Sequence, residues 1–189
     1  MNKVENKVQY NIKNAHYAVM SDDGTYGTPV PIPGAVALSL EAQGELSNFY
    51  ADGDVYFTSS SNGGYQGDFE FARIPDSFRQ AVLKEISDNN KVLIENTNAQ
   101  PAKFALGFQI DGNIRSTLFW FFNCTCTRPS VESSTNEESI EPQTETLDIS
   151  CAPNGNGDIR AKTTADTADD IVSAWFGSVY EKDKTTGEA

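Results

Sequence analysis

Residues 35–74 constrain the fold most, because they form short segments of alternating apolar and polar residues broken by Gly, Asn and Asp. Alternation with a period of two is typical of strands with one buried face, and frequent turn residues exclude long helices. We expect four strands, at 35–40, 46–51, 55–59 and 65–73. The region is therefore predicted to be an antiparallel meander.

The last strand of this meander has two chemically different faces. Phe69, Phe71 and Arg73 alternate with Asp68 and Glu70, so the phenylalanines and the acidic residues point in opposite directions. We expect the phenylalanine face to pack under a following helix. The acidic face is then left for solvent or for another molecule.

Two helices are expected. The first is predicted at 76–87, where Phe78, Val82 and Ile86 recur every four residues and form one apolar stripe. The second is predicted at about 167–177 from the helical spacing of its apolar residues, with a strand as the alternative.

The remainder is predicted to be strands and polar segments. Further strands are expected at 8–20, 91–95, 103–110, 114–127, 146–151 and 158–162. Pro29, Pro31 and Pro33 mark an extended edge segment, because proline supplies no N–H to a ladder. Asp111-Gly112-Asn113 is typical of a hairpin turn.

Between the last long strands lies a polar segment, 128–145, called here the acidic excursion. It has five glutamates, one arginine and two prolines, which predicts a solvated loop. With loose termini at 1–7 and 181–189, the chain is predicted to be a single mainly β domain, an antiparallel sandwich or barrel spanning residues 1–189.

Composition excludes several classes of function. A formal net charge of −13 disfavours specific binding to DNA or RNA, which depends on Lys and Arg neutralising phosphates. The longest apolar run, 118–122, is far shorter than the ~20 residues of a membrane-spanning helix. The first residues do not resemble a secretory signal, so the chain is expected to begin in the cytoplasm, without membrane attachment.

No enzymatic site is expected. The single histidine, His16, lies on a predicted strand, and no nucleophile-elbow, zinc-protease or phosphate-loop motif is present. Asp52 and Asp54 are one candidate carboxylate pair for glycoside chemistry, but Asp-Gly-Asp is more typical of a tight turn. No cofactor is expected.

A structural zinc site is the remaining chemical candidate. Cys124, Cys126 and Cys151 with His16 make a conceivable set of three cysteines and one histidine. Because C-x-C is not the usual zinc spacing and His16 is distant in sequence, buried free thiols are the favoured interpretation and no metal is expected.

The order of elements resembles a known family. The segments that carry the likeness are the meander with 52–56 (Asp-Gly-Asp-Val-Tyr) and 63–65, the helix at 76–83, the hairpin at 108–113, and the strand leading through 132–145 to 146–149. Together they resemble the major tail protein, or tail tube protein, of long-tailed non-contractile bacteriophages of low-GC Gram-positive bacteria. The likeness covers about residues 8–180. Subunits of contractile-tail tubes share this fold, so the tail type stays open.

This resemblance implies a sandwich or barrel with one flanking helix, six copies of which form a ring. Rings would stack into a virion tail tube that carries DNA and, before it, the tape measure protein, with tail terminator and initiator proteins as further partners. DNA would pass without specific binding. The resemblance implies an intersubunit arm at 40–60 and an outward position for the acidic excursion.

The candidate residues for lumen charges or subunit contacts are all acidic, and a solvated sheet face is the alternative interpretation for each. They are Glu41, Glu45, Asp52, Asp54, Asp68 and Glu70. The alternative function is a sandwich module that binds carbohydrate or a host surface. Exposed Trp or Tyr residues on one flat face would favour it, but Trp120 and Trp175 lie in apolar patterns and are expected to be buried.

Overall fold

The computed structural model describes residues 4–135 and 142–182, and these residues form a mainly β fold. The strands are β1 (Gln9–Val19), β2 (Val30–Pro31), β3 (Ala35–Gln43), β4 (Leu46–Ala51), β5 (Asp54–Ser60), β6 (Gly64–Phe71), β7 (Ile86–Ser87), β8 (Leu93–Ile94), β9 (Phe104–Gly112), β10 (Thr117–Cys126), β11 (Glu145–Cys151) and β12 (Arg160–Lys162). The helices are α1 (Asp76–Ala81) and α2 (Asp169–Ala174). Neither helix is long and apolar enough to cross a membrane, nor is any other helix in the described ranges.

One antiparallel sheet dominates the fold. Its strands follow the order β2-β1-β9-β10-β11-β6-β3, and β12 pairs with β10 beside β11. β1 and β3 belong to opposite ends of this order yet contact each other, so the sheet curls round its core. The predicted mainly β, antiparallel fold class is confirmed.

The core lies on both faces of β9 and β10, where the apolar residues are almost continuous. Phe108 and Phe121 face the interior of the curl, whereas Trp120 faces α2. The Trp120 Nε1 donates a hydrogen bond to the Trp175 carbonyl oxygen at 3.0 Å. Both tryptophans are buried, as predicted. A strand buried on both faces needs such an unbroken apolar sequence.

Helix α1 is shorter than predicted, and the expected end at residue 87 is wrong. It ends at Ala81, and Lys84 adopts a φ of +62°, which turns the chain away from the helical path. Ile86 lies instead on β7 and is 60% exposed. The Asp88 carboxylate accepts hydrogen bonds from the backbone N–H groups of Asn90 and Val92, which forms the turn between β7 and β8.

The second predicted helix is confirmed as α2, although it is shorter than 167–177, and the strand alternative is wrong. The predicted hairpin between β9 and β10 also forms, but its turn lies at 113–116 because β9 continues through Gly112. The Asn6 side chain accepts hydrogen bonds from the N–H groups of Ile114 and Arg115. The N-terminal segment thereby holds this turn.

Ion pairs hold both flanks of the acidic excursion, of which residues 136–141 lie outside the described ones. At its start, the Arg128 guanidinium pairs with Glu95. At its end, Glu145 pairs with Arg79 of α1 at 2.5 Å and accepts the backbone N–H of Ile74 at 2.6 Å. Glu145 therefore ties β11 to the helix instead of projecting into solvent.

Candidate assembly surfaces

Strands β4 and β5 form a two-stranded ribbon that pairs with no other strand of the described chain; we call this ribbon, residues 46–60, the arm. Every residue of it is exposed except Ala51, which is half-buried. Its large exposed side chains are Leu46, Phe49, Tyr50, Val55, Tyr56 and Phe57. Soluble monomers rarely expose so concentrated an apolar surface, and such patches mark interaction sites.

The apolar side chains lie on both faces of the arm. Phe49 is directly opposite Phe57, and Tyr50 is directly opposite Val55. Residues opposite each other share a face, whereas consecutive residues on a strand point to opposite faces. Neither face of the arm is therefore purely polar. Since an isolated two-stranded hairpin is only marginally stable in water, contact with another surface would stabilise it.

Backbone hydrogen bonds connect the base of the arm to the main sheet. The Ser61 N–H donates to the Glu45 carbonyl oxygen at 2.9 Å, and the Gly63 N–H donates to the Gln43 carbonyl oxygen at 2.7 Å. A Cβ at Gly44 would lie 2.3 Å from the Ser61 carbonyl oxygen, so only glycine allows this approach. These backbone hydrogen bonds thus join the arm to the end of the β3–β6 ladder.

Next to the arm, the outer side of β3, β6 and β11 forms a polar surface that we call the acidic face. Three rows of directly paired residues run across it: Ala37–Glu70–Thr146, Ser39–Asp68–Asp148 and Glu41–Gln66–Ser150. These rows carry four carboxylates and no basic side chain. The face therefore concentrates negative charge.

Two carboxylates of the acidic face interact directly. A hydrogen bond shared with Asp148 raises the pKa of Asp68, with desolvation and the negative charges of Asp148 and Glu41 adding to the effect. Like charges opposite each other on neighbouring strands destabilise a sheet. The fold thus tolerates repulsion here that a neutral pair would avoid.

The six candidate residues predicted from sequence occupy two places. Glu41, Asp68 and Glu70 lie together on the acidic face. The others lie along the arm: Glu45 at its base, and Asp52 and Asp54 at its tip.

The Asp52–Asp54 turn forms as predicted. Asp52 and Gly53 have φ angles of +54° and +87°, which this tight turn requires.

Two features of these surfaces were not predicted from the sequence. The exposure of the arm's aromatic residues was missed, although the adjacent apolar pairs in Asn-Phe-Tyr and Val-Tyr-Phe were a signal that both faces are apolar. The role of Asp148 was missed because β11 and β6 are distant in sequence, and only the fold shows that they pair.

The cysteines are buried in the core, whereas His16 is half-buried and lies elsewhere. Cys124, Cys126 and Cys151 are buried, free thiols in the cluster inside the curl. His16 stacks on Phe176, which packs against the other cluster, with ring centroids 4.5 Å apart. Within residues 4–135 and 142–182, no three His, Cys, Asp or Glu side chains are placed to hold a metal ion.

A surface cavity of about 460 Å³ lies away from the arm, between the turns at 22–25 and 154–157. Tyr26 and Tyr180 supply aromatic walls, and Asn154 and Arg160 supply polar groups. This mixture of aromatic and hydrogen-bonding groups is typical of small-ligand sites.

Comparison with known proteins adds distant similarities to solved structures. No protein-family model matches the chain, and no curated protein matches it. A chain in the sheath–tube complex of an extracellular contractile injection system (PVC) in its extended state is 8% identical, with a TM-score of 0.44 over 84% of this chain and 93% of that one. A chain of the tube-terminating cap of the anti-feeding prophage is 13% identical, with a TM-score of 0.41 over 83% of this chain and 93% of that one. At such low scores and identities, neither likeness identifies what this chain does.

Proposed function

We propose that this chain is a structural subunit that assembles with copies of itself into stacked six-membered rings, forming a phage-type tail tube. The observation that carries the proposal is the arm, whose large apolar side chains are exposed on both faces. A surface of this kind favours a protein whose working form is an assembly. The resemblance of the element order to tail tube proteins supports the same function.

A second copy of the chain is the proposed occupant of the arm. The described chain carries another exposed apolar surface, on the hairpin of β7 and β8, where Ile86 and Ile94 are opposite each other and Val92 lies beside them. Two different apolar surfaces on one chain permit a heterologous contact, in which the arm of one copy covers the β7–β8 hairpin of the next. Heterologous contacts produce closed rings or open filaments, as a tube requires.

The acidic face supports the role of a conduit. We assign Glu41, Asp68 and Glu70 to the lumen, and Glu45, Asp52 and Asp54 to contacts between subunits. A wall without Lys or Arg gives DNA no counterion-release energy, so DNA passes without adhering. The tube would serve DNA ejection in the virion, with tape measure, terminator and initiator proteins as partners. We favour a non-contractile tail on the resemblance alone.

The test is whether the purified full chain assembles. Its mass distribution is measured by light scattering at increasing concentration, and the particles are imaged by negative-stain electron microscopy. A variant in which residues 46–60 are replaced by Asn-Gly serves as the comparison, because it retains the ladder at the arm's base. We expect six-fold rings or hollow tubes from the native chain and monomers from the variant. A native chain that stays monomeric at every concentration would refute the proposal.

A carbohydrate-binding module is the second candidate function. The cavity with Tyr26 and Tyr180 favours it, since aromatic walls with adjacent polar groups suit sugar rings. A screen of glycans by ligand-observed NMR, with Tyr180→Ala as the comparison, tests it. Binding that depends on Tyr180 in a chain that never assembles would favour this candidate over the tube.

A further inference from the structure

We propose that Cys124 and Cys151 are a redox site: a thiol pair that closes into an intrachain disulfide when the folded protein meets an oxidant. The two residues are directly opposite each other on β10 and β11. Their Sγ atoms are 2.8 Å apart, and both side chains are buried. The two sulfurs already lie side by side, and a small oxidant reaches them when this end of the β10–β11 ladder opens locally.

The pairing geometry of the strands suits a cross-link. Directly opposed residues of an antiparallel pair have Cα atoms about 4.5–5.5 Å apart. Disulfides span Cα separations of about 4.4–6.8 Å, so this position on the ladder meets the main requirement. Cys126 is opposite Ile149 instead and has no cysteine across from it. The ladder therefore selects Cys151 as the partner of Cys124, and Cys126 stays a thiol.

The buried environment slows oxidation of the pair. The pKa of the Cys124 thiol is raised by burial, by the hydrogen bond to Cys151 and by the negative charge of Cys151. Little reactive thiolate is therefore present at neutral pH. Cytoplasmic thiol buffers keep such pairs reduced, whereas extracellular conditions favour disulfides. The inference that the pair meets an oxidant outside the cell rests on the proposed function, because a tail tube leaves the cytoplasm. The chemistry of the pair does not depend on that function.

The oxidant is a small-molecule disulfide such as oxidised glutathione. One cysteine loses its proton and attacks this disulfide, which forms a mixed disulfide and releases one small thiol. The other cysteine then loses its proton and attacks the protein sulfur of the mixed disulfide, which releases the second small thiol. The protein loses two hydrogens and two electrons are transferred to the small disulfide.

The disulfide would fasten the two strands that flank the acidic excursion. Cys124 and Cys151 are 27 residues apart in sequence, so the bond closes a loop that contains the whole excursion. In the chain-entropy model, a closed loop of this length shifts the unfolding equilibrium by roughly several hundred-fold toward the folded state. The oxidised form should therefore need more urea to unfold than the reduced form.

The test uses the full chain, reduced and then incubated with oxidised glutathione at neutral pH. Free thiols are alkylated, the intact mass is measured, and the linked peptides are mapped. We expect the loss of two hydrogens, a Cys124–Cys151 linked peptide, one alkylated thiol at Cys126, and a higher urea midpoint. Cys126→Ser is the matched control and should form the same bond, whereas Cys151→Ser should not.

Three results would overturn the proposal: no loss of hydrogens in the native chain, a glutathione adduct as the only product, or a link that involves Cys126. Because the native chain alone gives these results, a Cys151→Ser variant that fails to fold does not remove the test. Imaging the same samples separates the two proposals. Tubes without the bond would contradict only the disulfide, and the bond in a permanently monomeric chain would contradict only the tube.

Discussion

Replacing Phe57 by serine removes one apolar contact from the arm while leaving the core untouched. The side chain is 62% exposed in the single chain, and an aromatic residue has roughly 150–250 Å² to bury. About 100–150 Å² would then be covered on assembly, which at about 25 cal/mol per Å² is worth roughly 2.5–4 kcal/mol as an upper bound. Allowing for incomplete burial, we expect a loss of about 2–3 kcal/mol per contact.

The expected consequence is a rise in the concentration needed for assembly. A loss of about 2–3 kcal/mol corresponds to roughly a 30- to 150-fold increase. The cost to the fold of one chain should be small, roughly 0.2–1 kcal/mol, because only the pair with Phe49 is lost. The assay is sedimentation of assembled material over a concentration series, with circular dichroism to verify that each variant is folded.

Val131→Ser is the matched control, since Val131 is 96% exposed but lies in the acidic excursion, away from the arm. This control should assemble at the native concentration. The reasoning is refuted if Phe57→Ser assembles as readily as the native chain, or if the control loses assembly to the same degree.

Three further substitutions test the fold and its charges. Gly107→Ala should destabilise the chain by about 1–3 kcal/mol in urea unfolding, because the new Cβ would lie 2.6 Å from the Trp120 ring; unchanged stability would show that the ring has room to move. Glu145→Gln should cost about 1–3 kcal/mol in the same assay by leaving the half-buried Arg79 without this partner, and a neutral result would mean that the ion pair contributes nothing. Because the pKa of Asp68 is raised in the fold, its contribution to stability falls as pH rises through that raised pKa. Asp68→Asn should therefore flatten the dependence of urea midpoint on pH between acidic and neutral conditions, and a profile parallel to the native one would contradict the repulsion.

Much of the strand architecture follows from local alternation. The buried side chains of β11 recur at every second residue, at Leu147, Ile149 and Cys151, and this alternation can be recognised in the sequence alone. The end of α1 cannot be recognised from the sequence in this way. Ile86 continues the helical spacing by coincidence, while the positive φ of Lys84 and the Asp88 turn decide the path. Side-chain capping of a turn competes with helix extension over these few residues, and periodicity alone does not resolve that competition.

The candidate surfaces were predictable only within single strands. Alternation places Asp68 and Glu70 on one face of β6 from sequence alone. Their neighbours across the ladder depend on which strands pair and in which register, and β11 is separated from β6 by more than seventy residues. The same limit applies to the arm. Its strands are evident from sequence, but its exposure depends on the absence of a third strand beside it in the described chain.

The arm joins the two strands that carry most of the acidic face, which would give the proposed assembly its directionality. Backbone hydrogen bonds from Ser61 and Gly63 join the arm to the β3–β6 ladder, and Gly44 allows the two backbones to lie close together there. The same two strands carry Glu41, Asp68 and Glu70 on their outer side. Docking of the arm on a neighbouring copy would therefore also set the direction in which the carboxylates point. In a closed ring every copy has the same orientation, so one type of contact would place all acidic faces on the same side of the wall.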